Sequence, residues 1–190
     1  VHNIFTGSQR GDGKIYFYAV SSHEIEDLCQ YQKNGRNISV ISFRENPEAP
    51  GSDTAVENRP LELKIGFSFV SVENARMNLE AEMIAKSFEE VASEADAQWE
   101  TLLSKIRVKG GTERQKRLFY STLYRSFLWP ALRSDTNGDY TDVRGEVVNN
   151  GFRYYTDPSF WDDHRNKLIL LGLISPDVAC DIVKSISDKG

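Results

Sequence analysis

The chain reads as an α+β protein, with antiparallel strands up to about residue 70 and helices from there on. Three observations carry this reading. Apolar, β-branched and aromatic runs in the first 70 residues are punctuated by turn signals such as Gly11-Asp12-Gly13 and Asn34-Gly35. Around Ser71 the apolar period changes from 2 to 3.6. Beyond it, helix-start signals recur at Ser87…Glu90, Thr112…Gln115 and Ser175-Pro176.

Lys14–Val20 has the composition of a half-buried strand. Asn34-Gly35 sets a hairpin turn, and Ile38–Phe43 follows with alternation. Glu45 to Arg59, with Pro47, Pro50 and Gly51, reads as a loop, and Leu61–Val70 as the last strand. Four strands at most are visible, part of an antiparallel sandwich whose other strands lie upstream. Ala75, Leu79, Glu82 and Met83 mark a first helix. Ser87 opens a second, with Val91, Ala95, Trp99, Leu102, Leu103 and Ile106 on its apolar face. Gly110-Gly111 breaks the chain, and Thr112 begins a third helix reaching about Trp129, where Pro130 ends it. Asp157-Pro158 predicts a helix from Phe160 to about Leu173, and Ser175-Pro176-Asp177 a last one with Val178, Ile182, Val183 and Ile186 apolar.

A net charge of −5 gives no basic footprint for nucleic acid. No apolar run approaches the roughly 20 residues of a membrane span. Cys29 and Cys180 show neither metal spacing nor a disulfide framework, and read as two separate small hydrophobic residues. His2, His23 and His164 belong to unrelated segments. Asp135-Thr136-Asn137-Gly138-Asp139-Tyr140 lacks the spaced glutamate of an EF-hand and reads as an Asn-Gly turn. No Gly-x-Ser-x-Gly elbow is present. The chain opens on Val1 and closes on Ser187-Asp188-Lys189-Gly190, and both ends read as cut. The absence of a leader therefore says nothing about export.

The densest chemistry lies in Tyr154-Tyr155-Thr156-Asp157-Pro158-Ser159-Phe160-Trp161-Asp162-Asp163-His164-Arg165. On a helix, Trp161, Asp162 and Arg165 share one side of the first turn. A ring, a carboxylate and a guanidinium at a helix mouth suit a sugar: the ring stacks on C–H faces and the charged groups take hydroxyl hydrogen bonds. The competing reading is a core tryptophan with an Asp162–Arg165 surface pair. Asp162 and Asp163 are adjacent, so a helix splays them about 100° apart and they cannot flank one bond.

Several stretches in this order resemble glycoside hydrolase family 92, the calcium-dependent exo-acting α-mannosidases common in gut Bacteroidetes. They are Ser68–Ala75 with Asn78–Glu82, Trp99–Ile106, Phe119–Arg125, Asp135–Tyr140, and Tyr154–Asp157 leading into Ser159-Phe160-Trp161-Asp162 and Arg165. The resemblance implies a fragment of a multidomain α+β protein: the C-terminal part of a β-sandwich over 1–70, two linker helices over 71–110, and the first helices of an (α/α)6 barrel over 111–190. It implies an inverting hydrolase of terminal mannose, with α-1,2 linkages expected, in which a glutamic acid and an aspartate base act on opposite faces of the sugar. The catalytic acid, the base and the ligands of the Ca2+ ion are expected downstream of Gly190.

Within the chain, the resemblance makes Asp162 a hydrogen-bonding partner of the terminal mannose. Trp161 would shape the pocket, and Arg165 would orient Asp162 or touch sugar. Asp163 and His164 stand where the family has threonine and an aromatic residue, and Lys167-Leu168-Ile169 where it has proline-leucine. Trp129 stands where histidine precedes the proline. For Asp163 and His164, a polar position in the pocket and a place on the surface both remain open. The expected partner is a glycan or mannoside, with no nucleic acid and no membrane span, and the expected location is secreted or periplasmic. Two alternatives stand beside the mannosidase: a non-catalytic carbohydrate-binding relative, and a glycosidase for another sugar.

Overall fold

The computed structural model describes residues 3–10, 14–44 and 60–189. The Gly11-Asp12-Gly13 turn and the Glu45–Arg59 loop lie outside the described residues. The chain divides into two compact units, Val1–Ile84 and Ala85–Gly190.

The first unit holds five strands among the described residues, one more than the sequence shows: β1 (Ile4–Arg10), β2 (Lys14–Ser21), β3 (Ile25–Lys33), β4 (Arg36–Phe43) and β5 (Leu63–Ser68). Neither β1 nor β3 is singled out by the sequence pattern; in β3, Glu26, Asp27, Gln30 and Gln32 mask the apolar alternation. All pairings are antiparallel, in one sheet of order β1-β2-β5 and a β3-β4 hairpin. Asn34 and Gly35 both take positive φ, +53° and +73°, as a two-residue hairpin turn of matching twist requires.

Helix α1 (Val72–Glu82) begins at Ser71, whose hydroxyl accepts the Asn74 N–H at 3.0 Å. It buries Ala75 and Leu79. It packs on the sheet where β5 carries Gly66: a Cβ there would lie 2.1 Å from the Ala75 carbonyl and 2.8 Å from Leu79 Cβ. Asn78 donates to the Phe67 carbonyl at 2.8 Å and fastens the helix to the same strand. Phe67 itself is 58 % exposed.

The second unit starts with α2 (Phe88–Leu103) and α3 (Glu113–Phe127), each opened by a complete capping box, Ser87/Glu90 and Thr112/Gln115. Trp99 and Tyr124 hold the two helices together, ring centroids 4.4 Å apart. Helix α3 ends two residues before the expected Trp129. The polar stretch after it folds back through a short hairpin, β6 (Tyr140–Thr141) with β7 (Val147–Val148). Asp142 closes that hairpin by accepting the Arg144 and Glu146 N–H groups, both at 2.8 Å.

The predicted helix from Phe160 to Leu173 is broken in two: α4 (Phe160–Asp163) and α5 (Lys167–Ile174). Asn166 stands outside helical φ/ψ and caps α5 through its side chain, so the chain turns where the apolar pattern alone runs on. Helix α6 (Pro176–Ser187) has its proline at the first turn as expected. Ser175 does not cap it; its hydroxyl accepts from Lys105 Nζ at 2.8 Å, and Lys105 also donates to the Ile174 carbonyl. A core cluster of this unit is Tyr155, Leu171 and Ile182, with Phe127, Leu168, Val178, Ala179 and Ile186 against it. Cys29 and Cys180 are free, two separate residues as expected, and both are exposed.

Two glycines give opposite predictions. Gly66→Ala forces α1 off β5 and should cost about 1–3 kcal/mol by overpacking. Gly172 lies in α5 with nothing within 4 Å of a built Cβ, so Gly172→Ala should gain about 0.5–1 kcal/mol from helix propensity. Thermal midpoints of the two variants check both signs.

Candidate functional site

The Trp161–Arg165 stretch stands at the end of an extended segment, Phe152–Ser159, that is held from two sides. On one side the segment pairs with residues 131–134. Leu132 bridges Tyr155, the Arg133 and Ser134 N–H groups donate to the Tyr154 carbonyl, and the Thr156 N–H donates to the Ala131 carbonyl at 2.9 Å. On the other side α6 supplies Ser185, whose hydroxyl accepts the Tyr155 N–H at 2.9 Å. Lys189 reaches the Tyr155 carbonyl at 3.0 Å and pairs with the Asp157 carboxylate. Asp157 therefore does not cap the helix as predicted. Trp129 Nε1 donates to the Asp157 carbonyl at 2.8 Å, so this ring braces the segment.

From that anchored segment α4 rises for one turn. Trp161 is 88 % exposed, which overturns its reading as a core residue. Asp162 is exposed beside it and accepts from the Ser159 hydroxyl at 3.1 Å. Arg165 is exposed and donates through Nε to His164 Nε2 at 3.4 Å. The His164 tautomer with its proton on Nδ1 satisfies both of the ring's contacts, since Nδ1 then donates to the Phe160 carbonyl. The structure gives Asp162 and Arg165 separate partners, Ser159 and His164, in place of the expected surface pair.

Asp163 points the other way. Only 7 % exposed, it accepts the Ser159 N–H through Oδ2 at 3.1 Å and pairs through Oδ1 with Lys167 Nζ at 3.0 Å. It lies neither on the surface nor beside Asp162. The mouth thus offers an exposed indole and one outward carboxylate, while Arg165 lies beyond the end of α4 with its guanidinium on His164. Such a set can stack on a pyranose ring and accept hydroxyl hydrogen bonds, but a single carboxylate cannot act as both acid and base.

The Asp135–Asp139 turn closes on its own hydrogen bonds, as an Asn-Gly turn does. The Asp135 N–H donates to the Asp139 carbonyl at 2.8 Å, and the Gly138 N–H to the Asp135 carbonyl at 2.9 Å. The two Asp139 carboxylate oxygens accept from the Asn137 and Asn149 amides. Among the described residues, no three His, Cys, Asp or Glu side chains converge as metal ligands.

The fold is shared with solved glycoside hydrolases. It is similar to the family GH92 α-mannosidase BT3965 from Bacteroides thetaiotaomicron over 100 % of this chain and 27 % of that one, with a TM-score of 0.83 and 24 % identity. It also matches the family GH92 inverting mannosidase BT2199 from Bacteroides thetaiotaomicron VPI-5482 over 97 % of this chain and 27 % of that one, with a TM-score of 0.78 and 25 % identity. A family GH92 glycosyl hydrolase, ccman5, matches over 96 % and 25 % of the two chains, with a TM-score of 0.77 and 25 % identity. Residues 74–190, more than half of the chain, match the glycosyl hydrolase family 92 catalytic domain, and the chain belongs to that family. It spans about a quarter of the length of the solved structures it matches. No curated protein matches it. Among the described residues no helix is long and apolar enough to cross a membrane.

Sequence reasoning missed the polar hub behind the segment. Tyr140, fully buried, stacks on Tyr154 with centroids 3.9 Å apart and planes 8° from parallel. Its hydroxyl donates to Asp188 at 2.8 Å and accepts from the Asn150 amide at 2.8 Å. Asn150 also donates to the other Asp188 oxygen, and Lys189 lies 4.8 Å over the Tyr154 ring. A cleft of about 350 Å³ beside the hub is lined by Asp142, Arg144, Asn150, Asp188 and Lys189. Asp142, Asp188 and Lys189 are already engaged there. The partners of Tyr140 are 10 and 48 residues away in sequence, so no local pattern signals them.

Burial, then the Asp188 carboxylate, raises the Tyr140 hydroxyl well above the ordinary tyrosine range, and burial raises Tyr154 as well. An unfolded tyrosine ionises near pH 10, whereas the folded one keeps its proton to higher pH. Stability from this source is full below about pH 10 and is lost as pH rises further. Tyr140→Phe should make that alkaline decline shallower, by denaturation midpoints taken between about pH 8 and 11.

Proposed function

We propose that this chain is part of an exo-acting, inverting α-mannosidase that removes terminal mannose, through α-1,2 linkages, from glycans. In this reading residues 1–70 complete a β-sandwich, 71–110 link it onward, and 111–190 open an (α/α)6 barrel. The observation that carries the reading is the outward Trp161–Asp162 pair on α4, within the stretch that matches a family 92 catalytic domain. The likeness to a solved inverting mannosidase at 25 % identity supports the reaction class.

Trp161 stacks on the sugar, Asp162 accepts its hydroxyl hydrogen bonds, and Arg165 flanks them. Asp163 is assigned to the support of α4 and not to sugar. The general acid, the general base and the ligands of Ca2+ are supplied by parts of the parent protein outside this chain. The described carboxylates offer no second member for a catalytic pair at the mouth. The parent works as a secreted or periplasmic enzyme.

The test is mannose release from α-linked mannobioses by the full-length protein, with calcium and then with chelator. Release that stops on chelation and starts as the β-anomer, followed by NMR, is expected. A folded, calcium-supplied protein that binds mannosides without releasing mannose would make the chain part of a carbohydrate-binding relative. Release from a different glycoside alone would assign another sugar. Asp162→Ala should cut kcat/KM by roughly 100-fold, since misplacing a bound substrate costs about that much. Wild-type kinetics would remove Asp162 from the site.

A further inference from the structure

We infer that Asp163 and Lys167 form a positioning pair that sets the outward presentation of Trp161 and Asp162. The inference rests on the sugar-site reading above and goes beyond it by naming what holds the site in shape.

Helix α4 is a single turn, too short to be stable through its own backbone bonds. Its cap residue, Ser159, makes no side-chain cap bond to the backbone, and its hydroxyl donates to Asp162. The restraint comes from Asp163. Its Oδ2 accepts the Ser159 N–H at the front of the turn, and its Oδ1 holds Lys167 Nζ behind it, 3.0 Å away. Lys167 is the first residue of α5, so one carboxylate ties the start of α4 to the start of α5 across the break.

Both partners are largely withdrawn from solvent, their side chains 10 % and 20 % exposed, unlike the other ion pairs at this end of the unit. Little water competes for the pair, so it is screened less than a surface bridge. A helix turns about 100° per residue, so fixing Asp163 inward fixes Asp162 and Trp161 on outer bearings. Asp163 touches no sugar in this scheme. It acts through Asp162 and the indole.

The test is a cycle of variants in the full-length protein, read as kcat/KM on an α-mannobiose well below the melting temperature. Lys167→Met keeps the alkyl stem and removes the charge; it should lower kcat/KM by roughly 10-fold, within the range that positioning losses reach. Lys167→Arg, which keeps the charge, should restore most of the loss. In a background lacking both side chains, Trp161→Ala with Asp162→Ala, Lys167→Met should cost less than about two-fold more, because its effect passes through those two groups. A loss in that background as large as in wild type would show a merely structural role and overturn the pair. A large loss for Asp162→Ala with none for Lys167→Met would overturn it while leaving the sugar site standing. Wild-type kinetics for Asp162→Ala would bring down the sugar-site reading itself, and with it the purpose of the pair.

Discussion

The Ser185 hydroxyl is the contact on which the second unit turns. It is 1 % exposed, accepts the Tyr155 N–H and donates to the Asp181 carbonyl at 2.7 Å. A buried amide left without a partner costs on the order of 1–3 kcal/mol, so the extended segment cannot leave α6 cheaply. Tyr155 also belongs to a buried apolar cluster with Leu171 and Ile182. One backbone position therefore carries both a buried hydrogen bond and a buried ring. The path of the chain from Phe152 to Ser159, and so the place where α4 begins, follows from it.

Lys189 extends the same restraint. It binds the Tyr155 carbonyl, pairs with Asp157 and lies over the Tyr154 ring. Its side chain is 17 % exposed whereas that of Asp157 is 68 %, so the lysine does more here as a buried donor than as half of a surface ion pair. Trp129 completes the enclosure through its indole N–H. The aromatic residues of this region divide by role: Tyr140, Tyr154 and Tyr155 are inside and build the support, and Trp161 is outside. The Trp161 indole, 88 % exposed at the end of this well-held segment, leaves its face open to a ligand or another surface.

The sequence was most legible where structure is local. Ser87/Glu90 and Thr112/Gln115 form the expected capping boxes, since all four partners lie within one turn. Asn34-Gly35 makes the expected hairpin for the same reason. Reading failed where a distant group competes. Ser175 reads as a cap but is taken by Lys105, 70 residues away, and Asp157 reads as a cap but is taken by Lys189, 32 residues away. The run from Phe160 to Leu173 is apolar enough to predict one helix, and only the Asn166 backbone and the Asp163 bridge show the break. At the candidate site, the residue types were legible but their bearings were not, and the Tyr140–Asp188 hub left no local trace.

The Asp162-Asp163 dipeptide shows why the bearings matter. Two adjacent aspartates have the same chemistry, and composition cannot assign them different work. The turn of the helix separates them: one is enclosed, bonded to a backbone N–H and an ammonium group, and the other faces water beside an indole. Both oxygens of the enclosed carboxylate already have partners and the residue is only 7 % exposed, so a ligand meets it far less readily. The outward one accepts a single serine hydroxyl, which a sugar hydroxyl can replace at little cost, since one O–H donor is exchanged for another. The two neighbouring carboxylates of this family 92 chain are therefore set apart by geometry alone, one enclosed and one open to solvent.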